Sequence, residues 1–222
     1  MEDPVAQALY LIREIPEGEE EEIPLGENAA IALRNDGSNT CTATLVVQGS
    51  RKNLAEFVPS GNVRFRLGQS FGIEFSRPPV IIIDLPALRK DPKRIMSVFH
   101  EIGHAIRYAD MEEHECNEIE RGVRKMLNVV EKIMYLPEQV RGNLSTRERA
   151  RIVDDERRAW TNALRLLRGI RTTTGVSLFD LFDDNADLEK AIHTRLSTYE
   201  NLLLDESLPK SAIRDALALH KT

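Results

Sequence analysis

The apolar and polar positions follow one pattern up to residue 84 and another after residue 91. Residues 29–84 contain short apolar or alternating runs, which are typical of β-strands in a partly buried sheet. These runs predict strands over 29–33, 42–47, 63–67, 72–75 and 80–83. Clusters of turn-forming residues separate the runs at 35–39, 59–62 and 77–79. We therefore predict a sheet in this part of the chain.

After residue 91 the apolar positions recur with a period of about 3.6, as they do on one face of an amphipathic helix. Asp91 is a suitable N-cap residue, and Pro92 fits the first helical turn because no backbone hydrogen bond is lost there. The pattern predicts helices over 92–110, 115–135, 146–168, 187–205 and 209–220, with breaks near Pro137, Gly142, Gly169 and Gly175. A shorter amphipathic helix is predicted over 4–15, ended by Pro16.

The acidic run from Glu17 to Glu22 lies between the first predicted helix and the first predicted strand. Like charges repel one another and stay solvated, so we predict an exposed loop here. Strands followed by helices indicate an α+β fold, and no repeat or low-complexity linker divides the chain. We predict one domain over 1–222. Its first part, 1–90, holds the short helix, the acidic loop and a short twisted β-sheet, and its second part, 91–222, is a helical bundle.

The composition excludes several classes of protein. The 222 residues, of which 41% are apolar and 30% charged, are sufficient to bury one substantial core. A net charge of −6 provides no concentrated positive field, so nucleic acid is not an expected partner. We expect a cytoplasmic protein without a membrane partner, because neither a leader peptide nor a membrane-spanning apolar stretch of about 18 residues is recognisable. Cys41 and Cys116 are interpreted as isolated thiols, with a single disulfide as the alternative.

The segment His100-Glu101-Ile102-Gly103-His104 has the spacing of a zinc site on a helix. Two histidines four residues apart lie about 40° apart around a helix, so both imidazoles can reach one ion. Glu101 lies about 100° from His100, beside the place of a metal-bound water, which is the position of a general base. Gly103 indicates that a second helix or a substrate strand approaches closely. The other side of the helix is apolar, with Ile95, Val98, Phe99, Ile102, Ile106 and Ala109.

A hydrolytic zinc site takes three protein ligands, so a third donor must come from elsewhere in the chain. Glu156 falls in the middle of the apolar side of its predicted helix, where an unpaired carboxylate would be costly and a zinc ion would compensate its charge. The alternatives are a salt bridge from Glu156 to Arg107, or Asp110 as the third ligand. His114, Glu115 and Glu118 are also close in sequence, but they are more typical of a charged loop that enters a helix. Enzymes that use a ligand at the spacing of Asp110 have glycine where this chain has Arg107. Asp155 is expected either to hydrogen-bond one of the metal ligands or to be solvated.

The order of these elements resembles the gluzincin branch of the zincin metallopeptidases, in particular the small minigluzincin and ImmA/IrrE-like enzymes. The resemblance covers residues 78–168. It rests on an extended apolar strand, an Asp-Pro helix start, Val-Phe-His-Glu-Ile-Gly-His-Ala-Ile and Glu156-Arg157-Arg158-Ala159-Trp160. The resemblance implies a zinc ion bound by His100, His104 and Glu156, with Glu101 as the catalytic base. It also implies a substrate that lies in extended form beside the active-site helix.

We therefore expect a zinc metalloendopeptidase that acts on a peptide or protein substrate. The substrate is expected to add a strand to the edge of Val80–Ile83. Tyr108, one turn beyond His104, is the first candidate for a second donor to the developing oxyanion, and His193 and Tyr199 are more remote candidates. The alternative interpretation is a noncatalytic zinc-containing protein with a regulatory or partner-binding role, or an inhibitor-type protein with a chance motif. The sequence makes no prediction of oligomeric state.

Overall fold

The strands of the first half of the chain form one mixed sheet. The computed structural model describes residues 13–132, 137–171 and 185–204, without the side chains of 60, 129–132, 185–189 and 191. Within these residues the strands are β1 (Glu20–Gly26), β2 (Ala29–Gly37), β3 (Thr40–Val47), β4 (Ser50–Asn53), β5 (Arg64–Gly68), β6 (Gly72–Glu74) and β7 (Val80–Asp84). Their order is β1-β2-β3-β5-β7-β6, with β4 beside β3. β5 and β7 run parallel, and the other neighbouring pairs are antiparallel.

Most of the described helices follow the sheet along the chain. They are α1 (Leu85–Lys90), α2 (Ile95–Ala109), α3 (Glu113–Lys132), α4 (Pro137–Asn143), α5 (Thr146–Gly169) and α6 (Asn185–Leu203), with short 3₁₀ turns at Leu54–Phe57, Pro59–Gly61 and Pro92–Arg94. The four long helices α2, α3, α5 and α6 agree with the predicted ones to within a few residues. The expected helix over 209–220 and residues 4–12 of the first expected helix lie outside the described residues, and residues 13–15 are not helical.

The predicted α+β class is confirmed, because strands occupy the described chain up to residue 84 and helices dominate afterwards. Each of the five predicted strands is present, and β1 and β4 are additional. One hydrophobic core joins the sheet to α2, α5 and α6, with buried residues that extend from Ile15 to Leu196. The sheet and the long helices are therefore packed together rather than segregated.

Two short helices, α1 and α4, are absent from the predictions. α1 begins after Asp84, whose carboxylate accepts a hydrogen bond from the Ala87 N–H at 2.9 Å. α4 begins at Pro137 and ends at Asn143, so helix boundaries lie near Pro137 and Gly142 as predicted, but a short helix fills the stretch between them. α5 ends at Gly169, as predicted, and Gly175 lies outside the described residues. Proline is tolerated in a first helical turn, and Gly142 already lies in the last turn of this short helix.

β1 corrects part of the prediction that the acidic run is an exposed loop: residues 17–19 are exposed and outside any strand, as expected, whereas residues 20–22 belong to β1. Glu20 and Glu22 both bind Arg51 of β4, at 2.6 and 2.8 Å. Glu21 binds Arg89 of α1, whose side chain is fully buried. These arginines from distant parts of the chain compensate the charges of residues 20–22, which pair with β2 although Glu20 and Glu22 stay exposed.

β7 is not an edge strand, so the expectation that a substrate adds to the edge of Val80–Ile83 is wrong. β5 occupies one side of β7 and β6 occupies the other. Gly72 lies opposite Ile82 and Glu74 lies opposite Val80. The backbone hydrogen-bonding groups of β7 are therefore used by these two neighbours. The strand at this end of the described sheet is β6.

Helix α2 is held between the sheet and α5. It contacts β6 and β7 on one side and α5 on the other. The predicted apolar face is confirmed for Ile95, Val98, Phe99 and Ile102, which are fully buried, whereas Ile106 is half-buried and Ala109 is exposed. Because α5 covers the opposite face, His100, Glu101 and His104 are buried as well.

The two cysteines do not pair with each other. Cys41 is buried, Cys116 is half-buried, and both are free thiols as expected. Burial raises the pKa of the Cys41 thiol to about 12. In the part of the chain that the structure describes, no helix is long and apolar enough to cross a membrane.

Candidate metal centre

Three buried side chains from two helices converge on one point. His100 and His104 belong to consecutive turns of α2, and Glu156 belongs to α5. One ligand atom of each residue lies within 4.8 Å of the others. The Nε2 atoms of the two histidines are 3.2 Å apart. Glu156 carboxylate oxygens lie 3.2 Å from His100 Nε2 and 3.7 Å from His104 Nε2.

The spacing and chemistry of this cluster fit a metal ion. Two ligand atoms at about 2.05 Å from an ion, in tetrahedral directions, are about 3.3 Å apart, which is close to the separation of the two imidazole nitrogens. The buried carboxylate of Glu156 needs charge compensation, and a cation held between it and the two imidazole nitrogens would supply it. The group of His100, His104 and Glu156 can therefore hold a metal ion.

The cluster forms because α2 and α5 approach very closely at Gly103. A Cβ atom on Gly103 would lie 2.1 Å from the carbonyl oxygen of Ala159, so only glycine lets the two backbones meet there. Asn162 of α5 donates a hydrogen bond to the Gly103 carbonyl at 3.1 Å. The approach indicated by Gly103 in the sequence is therefore that of a helix, and it brings Glu156 within reach of the histidines.

Trp160 fixes the orientation of His100 by packing. The two ring centroids are 4.2 Å apart and the rings are inclined by 27°. His100 Nδ1 is buried and has no hydrogen-bond partner in the described structure. The stacking on Trp160 and the Nε2 contact with Glu156 therefore position the His100 ring, without a hydrogen bond at Nδ1.

Asp155 holds His104 from the side that faces away from the cluster. Its carboxylate lies 2.9 Å from His104 Nδ1 and accepts a hydrogen bond from the Tyr108 hydroxyl at 2.8 Å. Arg107 forms an ion pair with the same carboxylate at 3.2 Å. Because Asp155 binds Nδ1, the Nε2 atom of His104 is directed at the cluster. The sequence left open whether Asp155 supports the site or is solvated, and the structure places it in the supporting position.

The buried charges around Asp155 shift its pKa and that of His104. Burial raises the pKa of Asp155, but the positive charge and hydrogen bond of His104, with Arg107 and Tyr108, bring it below its usual value. Against the opposing effect of burial, Asp155 raises the pKa of His104 to about 9. The metal-free site therefore favours an ion pair between these two residues, and a metal ion must displace the proton from His104.

Glu101 is buried next to the cluster but is not a member of it. Burial raises the pKa of its carboxyl, while the charges of His100 and His104 oppose the shift. A carboxylate with a raised pKa takes up a proton more readily near neutral pH. Both the position and the environment of Glu101 thus suit a group that exchanges protons.

The rival interpretations of the third ligand do not agree with the observed contacts. Asp110 directly follows the last residue of α2, is exposed and lies outside the cluster. Arg107 forms its described ion pairs with Asp154 and Asp155, at 3.0 and 3.2 Å, rather than with Glu156. A salt bridge to Arg107 therefore does not account for the buried carboxylate of Glu156.

The tyrosine that faces the cluster is Tyr199 of α6. The Tyr108 hydroxyl binds Asp155 and lies 3.5 Å from His104 Nδ1, on the far side of the imidazole ring. Tyr199 instead lies close enough to Glu156 that the charge of this carboxylate, together with burial, raises the pKa of Tyr199 well above its usual value. His193, the other remote candidate, is exposed and contacts the Ser197 side chain.

Comparison with known proteins identifies no family for this chain. The chain matches no protein-family model, and the comparisons with curated proteins and with solved structures gave no match. The fold and the site define an α+β protein with a candidate metal centre, and any more specific function has to follow from the chemistry of that centre.

Proposed function

We propose that this protein is a zinc metallopeptidase of the gluzincin type. The proposal is carried by the convergence of His100, His104 and Glu156 within 4.8 Å, with Glu101 buried beside them. Two imidazoles and one carboxylate are a ligand set that zinc favours. Three protein ligands leave one position of a tetrahedral ion for water, as hydrolysis requires, whereas structural sites are usually closed by a fourth protein ligand.

The residues in and around the cluster would have separate roles in peptide hydrolysis. Bound zinc would polarise the substrate carbonyl and lower the pKa of a water molecule toward about 7. Glu101 would accept the proton of the attacking water and pass it to the nitrogen of the leaving amine as the C–N bond breaks. Asp155 would keep the His104 ring in its orientation through the Nδ1 contact.

Tyr199 is the better candidate for a second donor to the negative charge that develops on the substrate carbonyl oxygen. Tyr199 lies close enough to Glu156 for the charge of this carboxylate to raise its pKa. Tyr108 is engaged by Asp155 behind His104, so its hydroxyl faces away from the candidate metal position. A neutral phenol with a raised pKa keeps its proton and can donate a hydrogen bond to an oxyanion.

We propose that a peptide substrate is bound in extended form along β6. This strand is at the end of the described sheet and packs against α2. Phe75, directly after β6, contacts Tyr108 with ring centroids 5.2 Å apart, and Tyr108 in turn contacts His104. A strand edge next to the metal-binding helix supports main-chain pairing with a substrate, which fixes the register of the peptide.

Metal content and peptide cleavage test this function together. We expect the purified chain to bind one zinc ion and to cleave members of a peptide library, with both measured by mass spectrometry. Glu101→Gln should keep the zinc and lower kcat/KM by at least about 100-fold, because it removes a general base. Glu156→Ala should lower the zinc affinity, because it removes a ligand.

The exposed Glu138 of α4 provides a matched control. Glu138→Gln should change neither zinc affinity nor cleavage. Retention of full activity by Glu101→Gln would show that the peptidase mechanism is wrong. A wild-type chain that binds zinc but cleaves no peptide would favour the noncatalytic, partner-binding alternative.

A further inference from the structure

A second polar region lies on the other side of α5. A cleft of about 870 Å³ lies between the end of α2, the start of α3 and α5. Five arginines line it: Arg107, Arg151, Arg157, Arg158 and Arg165. The cleft also contains three carboxylates, those of Asp110, Glu115 and Asp154. Arginines outnumber carboxylates among the residues that line this region, which we call the arginine cleft, although the chain has a net charge of −6. Arg107 and Arg151 also pair with acids outside the lining, Asp155 and Glu118.

The carboxylates do not satisfy all of the arginines. Asp154 binds both Arg107 and Arg158, each at 3.0 Å. In the part of the chain that the structure describes, neither Arg157 nor Arg165 forms an ion pair. Arg157 is half-buried, and its Nε–H is buried without an acceptor. A buried donor without a partner is costly, so this atom indicates a missing acceptor.

The arginine cleft is separate from the candidate metal centre. Arg158 and Arg165 are two and nine residues beyond Glu156, which places both about 180° from Glu156 around α5. They therefore face away from the histidines. The link between the two regions is Arg107, which pairs with Asp154 in the cleft and with Asp155 behind His104.

We propose that the arginine cleft binds a phosphate group, either as free phosphate or as the ester of a small organic molecule. A guanidinium group pairs with phosphate through two parallel hydrogen bonds. Several guanidinium groups together bind a phosphate dianion more strongly than they bind a carboxylate, which has one charge. The volume of the cleft lies in the range of small-molecule sites and exceeds that of a lone anion. Arg157 and Arg165 supply the charge, and the Arg157 Nε–H gains its acceptor.

Calorimetric titration at constant ionic strength tests the site, with inorganic phosphate and AMP as probes. Both probes should bind the zinc-loaded wild-type chain at one site. Arg157→Gln/Arg165→Gln should weaken both by at least about tenfold, since it removes two charge-assisted partners. The control Arg124→Gln/Arg147→Gln changes two exposed arginines outside the cleft and should bind like wild type. Tighter binding of AMP supports an ester ligand, and equal binding supports free phosphate.

Three results would overturn the proposal. The first is the absence of saturable binding by wild type, or equal weakening in the two double variants. The second is full competition by acetate, which would show that the cleft does not distinguish phosphate from a carboxylate. The third is loss of binding in Glu156→Ala but not in Arg157→Gln/Arg165→Gln, because the anion would then sit on the metal. Arg165→Gln alone changes an exposed position and should also weaken binding. This single variant separates the loss of a binding group from misfolding of the double variant.

Discussion

Asp155 connects three side chains of α2 through one buried carboxylate. Its oxygens contact His104 Nδ1, the Tyr108 hydroxyl and the Arg107 guanidinium. A carboxylate on Nδ1 fixes the tautomer of an imidazole and increases the electron density that Nε2 offers to a metal. The quality of His104 as a ligand is therefore set by a residue that does not itself reach the cluster.

Replacing Asp155 by asparagine tests this role at unchanged size. Asp155→Asn removes the negative charge and should weaken zinc binding by about 10–100-fold. Competition with a chromophoric chelator measures the zinc dissociation constant. Asp154→Asn is the matched control, because Asp154 is the adjacent acid and pairs with Arg107 and Arg158 but not with His104. Equal losses in the two variants would contradict a specific role for Asp155.

The residues of the candidate site were predictable to different degrees. His100, Glu101 and His104 follow from spacing within one helix, and Glu156 follows from a charge in the centre of an apolar face. Asp155 was ambiguous, because a residue 100° from Glu156 can face either solvent or a neighbouring helix. Tyr199 continues the buried spacing of Ile192, Leu196 and Leu203 on α6, which predicts a position facing the core but not the proximity to Glu156.

At the scale of elements, the separation of α2 and α5 is set by the backbone contact at Gly103. The contact with Ala159 leaves no space for even a methyl group. Since His100 and His104 flank Gly103 and Glu156 lies on the facing turn, a small change in this separation moves the ligands relative to one another.

Gly103→Ala should therefore damage the fold and the metal site together. Alanine favours an isolated helix by about 1 kcal/mol over glycine, but the clash should dominate and destabilise the protein by about 1–3 kcal/mol. Urea unfolding measures this change, and chelator competition should show weaker zinc binding. Gly142→Ala is the control, because no described atom lies within 4 Å of its added Cβ. A Gly103→Ala variant with unchanged stability and zinc affinity would refute the close contact.

The elements that periodicity predicted are those whose apolar faces pack on the core. β1 was missed because its first residues are acidic, and the arginines that neutralise them, Arg51 and Arg89, are far away in the sequence. β4, with the sequence Ser-Arg-Lys-Asn, has no apolar pattern at all and exists through its pairing with β3. Both strands depend on long-range contacts, which the local pattern of apolar and polar residues does not indicate.

At the scale of the whole molecule, a metal ion would tie together two helices that are about fifty residues apart in the chain, and an unfolded chain has no such preformed site. α2 and α5 both contribute to the core that includes the sheet. Metal binding and folding are therefore expected to be coupled.

Thermal unfolding at different concentrations of free zinc measures this coupling. At a concentration 100 times the dissociation constant, zinc should stabilise the fold by about 2.7 kcal/mol and raise Tm by about 5–10 °C for a chain of this size. EDTA should reverse the shift. Glu156→Ala should show little dependence on zinc over the same range. A wild-type Tm that does not respond to zinc would contradict the site.

The general architecture was predictable, but its connectivity was not. Strands in the first half and helices in the second indicate an α+β fold from composition and period alone. The parallel pairing of β5 with β7, and the position of β6 outside them, result from long-range contacts. The expectation of a free edge at Val80–Ile83 failed for this reason.

The stacking of Trp160 on His100 gives the protein an optical reporter at the candidate metal centre. Trp160 is the single tryptophan of the chain, and its ring lies 4.2 Å from the ring of a candidate ligand. Its fluorescence therefore comes from one known place, and we expect it to change when the adjacent imidazole binds a metal ion. Occupancy of the centre can be followed in the unlabelled protein, in real time and at low concentration.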